Sequence, residues 1–309
     1  MIIVFGSMNV DLFTPVSAFP NPGETVLCTA DYVSQSGGKG ANQAVAAMRA
    51  GAKTVMVGKV GDDAFGRRSV NNLKGQGIWT SGIGISDTRP TGCAMIAVNA
   101  QGENTVIVAP GANLEATADQ VPDEVLLSKN VILTQLEVSP QETFSILARA
   151  HEKGCVTILN ASPAAAIPKE SLPNIDYLIV NEIEAIHLAR SIGISDTDPQ
   201  KIARQISDAG KHSCIITLAA KGAIAANKNG VFQIGALDVE VVDTTGAGDA
   251  FCGIFAASIL ADHSSLHALH RASVGAGLSC MALGAQESIP AKDDIDARMA
   301  DLAPPVKIG

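Results

Sequence analysis

The chain has 309 residues, 47% of them hydrophobic, and carries a net charge of −9 at pH 7. That length can bury a large core, while the acidic balance argues against nucleic acid or an anionic membrane as a partner. Met1-Ile2-Ile3-Val4-Phe5-Gly6-Ser7 reads as a strand rather than a signal peptide, and no apolar run reaches spanning length, so a soluble cytoplasmic protein is expected.

Ile2–Phe5 begins the element pattern as an apolar strand, and residues 12–35 then show alternation and Pro/Gly turns with little helix. A helix is predicted over Gly40–Arg49, a strand over Thr54–Val57 and a helix over Phe65–Gln76. Gly92–Val98 and Thr105–Ala109 flank Asn99-Ala100-Gln101-Gly102-Glu103-Asn104 and read as a hairpin. Strands at Val131–Thr134, Cys155–Leu159, Tyr177–Val180 and Cys214–Leu218 then alternate with helices at Pro140–Glu152, Glu182–Ser191 and Pro199–Ala209. A strand is expected at Val239–Val242, and after Asp249 the chain reads as largely helical to about Ala300. Continuous apolar strands alternating with helices predict an α/β fold, a mostly parallel sheet covered by helices. With no linker or repeat, residues 1–309 read as one domain, with lid strands inserted at about 12–35 and 92–110.

Asp243-Thr244-Thr245-Gly246-Ala247-Gly248-Asp249, opening an apolar helix, is the most informative stretch. Its glycines expose backbone N–H groups without intrahelical partners, where the helix dipole favours an anion such as phosphate. A carboxylate in that first turn suggests phosphoryl transfer, with amides for the moving phosphate and Asp249 for a proton. A plain glycine-turn cap is the competing reading. Ser36-Gly37-Gly38-Lys39-Gly40-Ala41-Asn42-Gln43-Ala44 also opens a helix, with Lys39 and Asn42 able to donate to hydroxyls, and it lacks Walker A spacing. Asn9 and Asp11 could grip vicinal hydroxyls or form Asx-turns. Asn181-Glu182-Ile183-Glu184 fits a capping box.

Three other features invite separate readings. Cys28, Cys93, Cys155, Cys214, Cys252 and Cys280 show no C-x-x-C spacing, which predicts buried free thiols in a reducing compartment. His263, His267 and His270 have helical spacing, and an exposed helix face is favoured over a zinc site. Trp79 is taken as a packing residue, and Gly82-Ile83-Gly84 lacks the third glycine of a dinucleotide fingerprint.

Gly6-Ser7-Met8-Asn9-Val10-Asp11, the Gly37–Ala44 run, Asn181–Glu184 and Asp243–Asp249 occur in an order and spacing that resembles the ribokinase-like (PfkB) carbohydrate kinases. The resemblance spans nearly the whole chain. Thr91-Gly92 and Gly111-Ala112-Asn113 strengthen its likeness to the ribose-specific branch. The resemblance implies ATP-dependent phosphorylation of the primary hydroxyl of a small sugar, D-ribose first. It implies Asp249 as general base, with the Gly246, Ala247 and Gly248 amides as anion hole. Asn9, Asp11, Gly38, Lys39, Asn42 and Glu137 would hold the sugar. Asn181 and Glu184 would act through Mg²⁺ and its waters, and Thr217 and Gly222 would lie beside the nucleotide. A K⁺ ion would sit among Asp243, Thr245, Ser279, Ala282, Gly284 and Ser288. Lids of two subunits would pair in a homodimer.

The resemblance leaves other substrates open: a 2-keto-3-deoxy sugar acid, fructose, deoxyribose or a nucleoside. A non-catalytic sugar or nucleotide sensor is the rival from another class. The chain departs from the pattern at Asn160-Ala161-Ser162-Pro163-Ala164, where the family tends to have Asn-Pro-Ala-Pro. Arg271-Ala272-Ser273-Val274 lacks a histidine that some relatives carry.

Overall fold

A computed structural model describes residues 1–309. The strands are β1 (Ile2–Phe5), β2 (Asn9–Pro15), β3 (Val33–Gly37), β4 (Thr54–Gly61), β5 (Trp79–Ser86), β6 (Gly92–Val98) and β7 (Asn104–Ala109). They continue as β8 (Val131–Thr134), β9 (Val156–Asn160), β10 (Tyr177–Asn181), β11 (Ser213–Thr217), β12 (Ala223–Asn227), β13 (Gly230–Ile234) and β14 (Val306–Lys307). The helices are α1 (Lys39–Arg49), α2 (Ala64–Gly75), α3 (Pro140–Glu152), α4 (Glu182–Ser191), α5 (Pro199–Gly210), α6 (Ala247–Leu260), α7 (Ser265–Ser279) and α8 (Lys292–Ala297).

Ten strands form the main sheet in the order β14-β13-β12-β11-β10-β9-β8-β1-β4-β5. From β11 through β5 every pairing is parallel, and β12, β13 and β14 add antiparallel strands at one edge. A parallel strand flanked on both sides is covered on both faces, and all four residues of β1 are buried accordingly. Ile2 and Val4 join the core beneath α1, α6 and α7, whereas Ile3 and Phe5 join another core that includes Ile146 and Ala150 of α3. The alternation follows from the two-residue period of a strand. Helix α6 is buried along almost its whole length between α1 and α7, so its sequence is apolar or small on every side.

The second sheet is small and mixed, in the order β3-β2-β6-β7. The predicted hairpin is present, β6 pairing antiparallel with β7. Within the expected lid segment 12–35, regular strand is confined to the ends, in β2 and β3. Asn9 and Asp11 are strand residues of β2, paired with Gly37 and Gln35, rather than Asx-turn residues.

Four further expectations are corrected. Val239–Val242 forms no strand: the Val242 and Asp243 N–H groups both donate to the Cys280 carbonyl, and no neighbouring strand pairs with them. Strand β4 runs on to Gly61, four residues beyond the predicted end at Val57, because β5 pairs alongside it. Trp79 begins the edge strand β5 and is 52% exposed, so it is not a core packing residue. His263 precedes α7, so only His267 and His270 share that helix. All six cysteines are free, with Cys155, Cys214 and Cys252 buried. No helix is long and apolar enough to cross a membrane.

Candidate active site

The site lies where β1, β2, β3 and β8 end or begin and where α1 and α6 start. Gly38, the N-cap of α1, has φ 89, a backbone conformation suited to glycine. A Cβ there would stand 2.7 Å from the Asn9 backbone nitrogen. A Cβ on Gly37 would stand 2.0 Å from Asp11 Oδ2, so the missing side chain leaves room for the Asp11 carboxylate. The two glycines let the sheet edge and the helix start approach each other closely.

Asn9, Glu137 and Asp249 are each held by neighbouring groups. The Asn113 amide nitrogen donates to Asn9 Oδ1 at 2.7 Å and its Oδ1 accepts from the Met8 N–H at 2.9 Å. Glu137, just after β8, accepts from Ser7 Oγ at 2.6 Å and from the Lys39 N–H at 3.0 Å. Asp249, in the first turn of α6 and 7% exposed, accepts from Asn42 Nδ2 at 3.0 Å and from Gln43 Nε2 at 2.9 Å. Gln43 is itself oriented by Gln135, whose Nε2 donates to Gln43 Oε1 at 2.6 Å, and it also donates to Asn160 Oδ1 at 3.0 Å.

The charges of Asp11, Lys39, Glu137 and Asp249 act on one another. Burial pushes the Asp11 carboxyl up to about 7; Glu137 and Asp249 push the same way, and Lys39 opposes them. Burial alone would lower Lys39, but Asp249, Glu137 and Glu184 outweigh it and raise the ammonium above its ordinary value. One cation thus serves three carboxylates.

Helix α6 begins at Gly246, which has φ 78 and packs on Ala285: a Cβ there would stand 2.8 Å from the Ala285 Cα and carbonyl oxygen. The N–H groups of Gly246, Gly248 and Asp249 have no acceptor within the protein, whereas the Ala247 N–H donates to the Thr244 carbonyl at 3.2 Å. A cleft of about 720 Å³ opens onto this helix end, lined by Asn181, Thr217, Gly222, Ala247, Gly248 and others. The Asn181 and Glu184 side chains form the predicted capping box, at 2.8 and 2.9 Å. This box leaves Glu184 Oε1 without a hydrogen bond. A separate cavity of about 540 Å³ near His151, Tyr177 and His212 sits at the opposite end of the strands and touches none of these residues.

In the segment expected to bind a monovalent ion, the Asp243 carboxylate accepts three hydrogen bonds. Burial would raise the Asp243 carboxyl, but hydrogen bonds from the Thr245 hydroxyl and the Gly284 and Thr245 N–H groups outweigh it and hold it below the usual carboxylate range. Ser288 Oγ is buried without any partner. Ser279 Oγ turns away to donate to the Ala276 carbonyl at 2.8 Å, and Ala282 is exposed. No three His, Cys, Asp or Glu side chains converge on one metal-sized site.

Gln43, Ser7, Asn113, Asn160, Gln135 and Gln286 are the site residues that sequence reasoning left without roles. One signal was available: Asn42 and Gln43 are adjacent large polar residues in a helix otherwise built of small apolar ones on its buried side. Buried amides require partners.

The chain matches the pfkB family carbohydrate kinase description over residues 1–292. It is 35% identical over 301 residues to a ribokinase of Staphylococcus aureus, spanning 96% of this chain and 98% of that one. The crystal structure of ribokinase from Thermotoga maritima superposes with a TM-score of 0.90 at 32% identity, covering 97% of this chain and 99% of that chain. Arabidopsis thaliana ribokinase complexed with ribose and ATP gives a TM-score of 0.87 at 28% identity, covering 96% and 98% respectively. The open helix N-terminus, the buried aspartate beside it and this agreement over the full fold lead to one statement: the chain belongs to the pfkB family of carbohydrate kinases.

Proposed function

We propose that the protein transfers the γ-phosphate of ATP to the primary hydroxyl of D-ribose, yielding ribose 5-phosphate and ADP. The observation that carries this reading is Asp249, fixed by two amide donors in the first turn of α6, next to Ala247 and Gly248 of the cleft. Asn9, Asp11, Gly38, Lys39, Asn42 and Glu137 hold the sugar hydroxyls. Asp249 accepts the proton of the primary hydroxyl as that oxygen attacks the γ-phosphorus, and the bond to the ADP oxygen breaks on the far side. The Gly246 and Gly248 N–H groups, unpaired within the protein, receive the charge on the transferring phosphoryl group. Ala247 contributes its N–H once that group leaves the Thr244 carbonyl. Asn181, Thr217 and Gly222 border the nucleotide.

Glu184 fits a magnesium role through water, since Mg²⁺ keeps several waters and takes few protein carboxylates. When bound with ATP, that ion neutralises phosphate charge. The orphaned Ser288 hydroxyl beside the Asp243–Gly284 contact fits a potassium site completed by the Thr245, Ser279, Ala282 and Gly284 carbonyls. Such an ion orders the loop that packs on Gly246.

The chain acts as one kinase domain with an inserted lid. Strand β7 is exposed along its length, including Val106, Ile107 and Val108, and an open apolar edge of this kind favours pairing with a second lid. A homodimer in the cytoplasm is the assembly we infer, in keeping with six free thiols. Release of ADP that depends on ribose and Mg²⁺ tests the activity. Ribose binding without turnover would point instead to a sensor.

A further inference from the structure

We propose that Gln286 is a positioning residue for the reaction, the middle member of a directed chain of three side-chain amides that aims a donor at Asp249. Asn72 Nδ2 donates to Gln286 Oε1 at 2.7 Å, Gln286 Nε2 donates to Asn42 Oδ1 at 2.9 Å, and Asn42 Nδ2 donates to Asp249 Oδ2 at 3.0 Å. Every donor in the chain points toward the carboxylate.

The direction is dictated by chemistry. An ionised carboxylate can only accept, so the nitrogen of Asn42 must face Asp249 and its oxygen must face Gln286. Gln286 then has to turn its nitrogen to Asn42 and its oxygen to Asn72. A primary amide rotated by half a turn would present oxygen to oxygen at the next link, and the reversal would pass down the chain. Gln286 is 2% exposed, so water does not offer it an alternative partner. Its backbone carbonyl is pinned by Arg49 at 2.9 Å, at the end of the helix that carries Asn42.

The chain also links distant parts of the site. Ala285, next to Gln286, is the residue on which Gly246 packs. Asn72 lies on α2, one turn from Arg68, whose guanidinium donates to the Ser34 carbonyl of β3 at 2.6 Å. Thus one loop supports the anion hole through Ala285 and the base through Gln286, while α2 ties that support to the lid.

This inference rests on Asp249 being the base. Its test is polarity at Asn72, which touches neither substrate nor Asp249 and is only half-buried. Asn72→Lys offers donors alone and keeps the chain's direction; Asn72→Asp offers an acceptor and reverses it. With thermal melting confirming that both variants fold, the aspartate variant is expected to lose about tenfold or more in kcat, the scale of one hydrogen bond to a charged group. The lysine variant is expected to stay within about threefold of the parent. A role confined to packing would not separate the two by sign of partner. Equal kcat values for the two variants would overturn the proposal. Should Asn72→Asp fail to fold, Gln286→Glu replaces it: the same loss is expected, and parental kcat in that variant would overturn the proposal. Asp249→Asn run alongside keeps the readings apart, since an active Asp249→Asn enzyme contradicts the base assignment itself.

Discussion

Gln43 and Asp249 face each other across the contact between α1 and α6, the Gln43 amide donating to the carboxylate at 2.9 Å. The helices come this close because Gly253 has no side chain: a Cβ there would stand 2.4 Å from the Gln43 carbonyl oxygen. Gln43→Leu removes the donor and leaves the Gln135 amide nitrogen and Asn160 Oδ1 without the partner they have now. We expect a loss of about 1–3 kcal/mol in unfolding free energy, read from urea melts, together with a fall in kcat. Parental stability and kcat would show that the contact carries neither role.

Asp249→Asn preserves shape but removes the proton acceptor and turns an amide nitrogen toward one of the two donors, Asn42 or Gln43. The expected loss in kcat is roughly 10²–10⁴-fold, with ribose still bound in a calorimeter. Loss of binding along with turnover would assign Asp249 to holding the sugar instead.

Asp11 gives the site a pH signature. Its carboxyl, raised to about 7, binds a proton more tightly in the folded chain than in the unfolded one. The stability it contributes is therefore complete below the unfolded carboxylate range near 4 and is lost as pH rises through about 7. Asp11→Asn, which needs no proton, should gain in melting temperature relative to the parent between pH 5 and 8. Sugar hydroxyls that donate to Asp11 favour its charged form, so ribose binding near pH 6.5 should release protons. Titrations in two buffers of different ionisation enthalpy measure this. A buffer-independent heat would contradict it.

Much of the main sheet was legible because parallel strands buried on both faces write themselves as unbroken apolar runs: Ile2–Phe5 and Val131–Thr134 begin and end as read. Strands β12 and β13 were not read. Ala223–Asn227 is rich in alanine, which has little strand preference, and it is made a strand by pairing with β11. Val239–Val242 has strand-forming residues yet no strand beside it, so tertiary context overrode propensity. In the site, the glycine-rich helix starts could be found from sequence because they need special backbone. The amides of Gln43 and Gln286 could not be assigned, since Asp249 for the one and Asn42 for the other lie more than 200 residues away along the chain.

Gly246 and Gly248 should respond differently to alanine. At Gly246 the added Cβ meets Ala285 at 2.8 Å in a backbone conformation with φ 78, so Gly246→Ala should displace the Ala285 loop and lower both melting temperature and kcat. Gly248 has open space around it, and Gly248→Ala should melt as the parent does while weakening ATP use. Equal melting temperatures for the two variants would contradict the packing argument.

Ser288 tests the proposed potassium site by a readout independent of turnover. KCl, compared with tetramethylammonium chloride at equal ionic strength, should raise the melting temperature of the parent by binding the folded state. Ser288→Ala should shrink that rise. An equal rise in both proteins would remove Ser288 from the ligand set.

The most direct measurement is ADP release from Mg-ATP by the parent and Asp249→Asn, with D-ribose, 2-deoxyribose, fructose, a 2-keto-3-deoxy sugar acid and adenosine as acceptors. Turnover greatest with ribose, and lost by two or more orders of magnitude in the variant, is the predicted result. Turnover with another acceptor but not ribose, or an active Asp249→Asn enzyme, would contradict it.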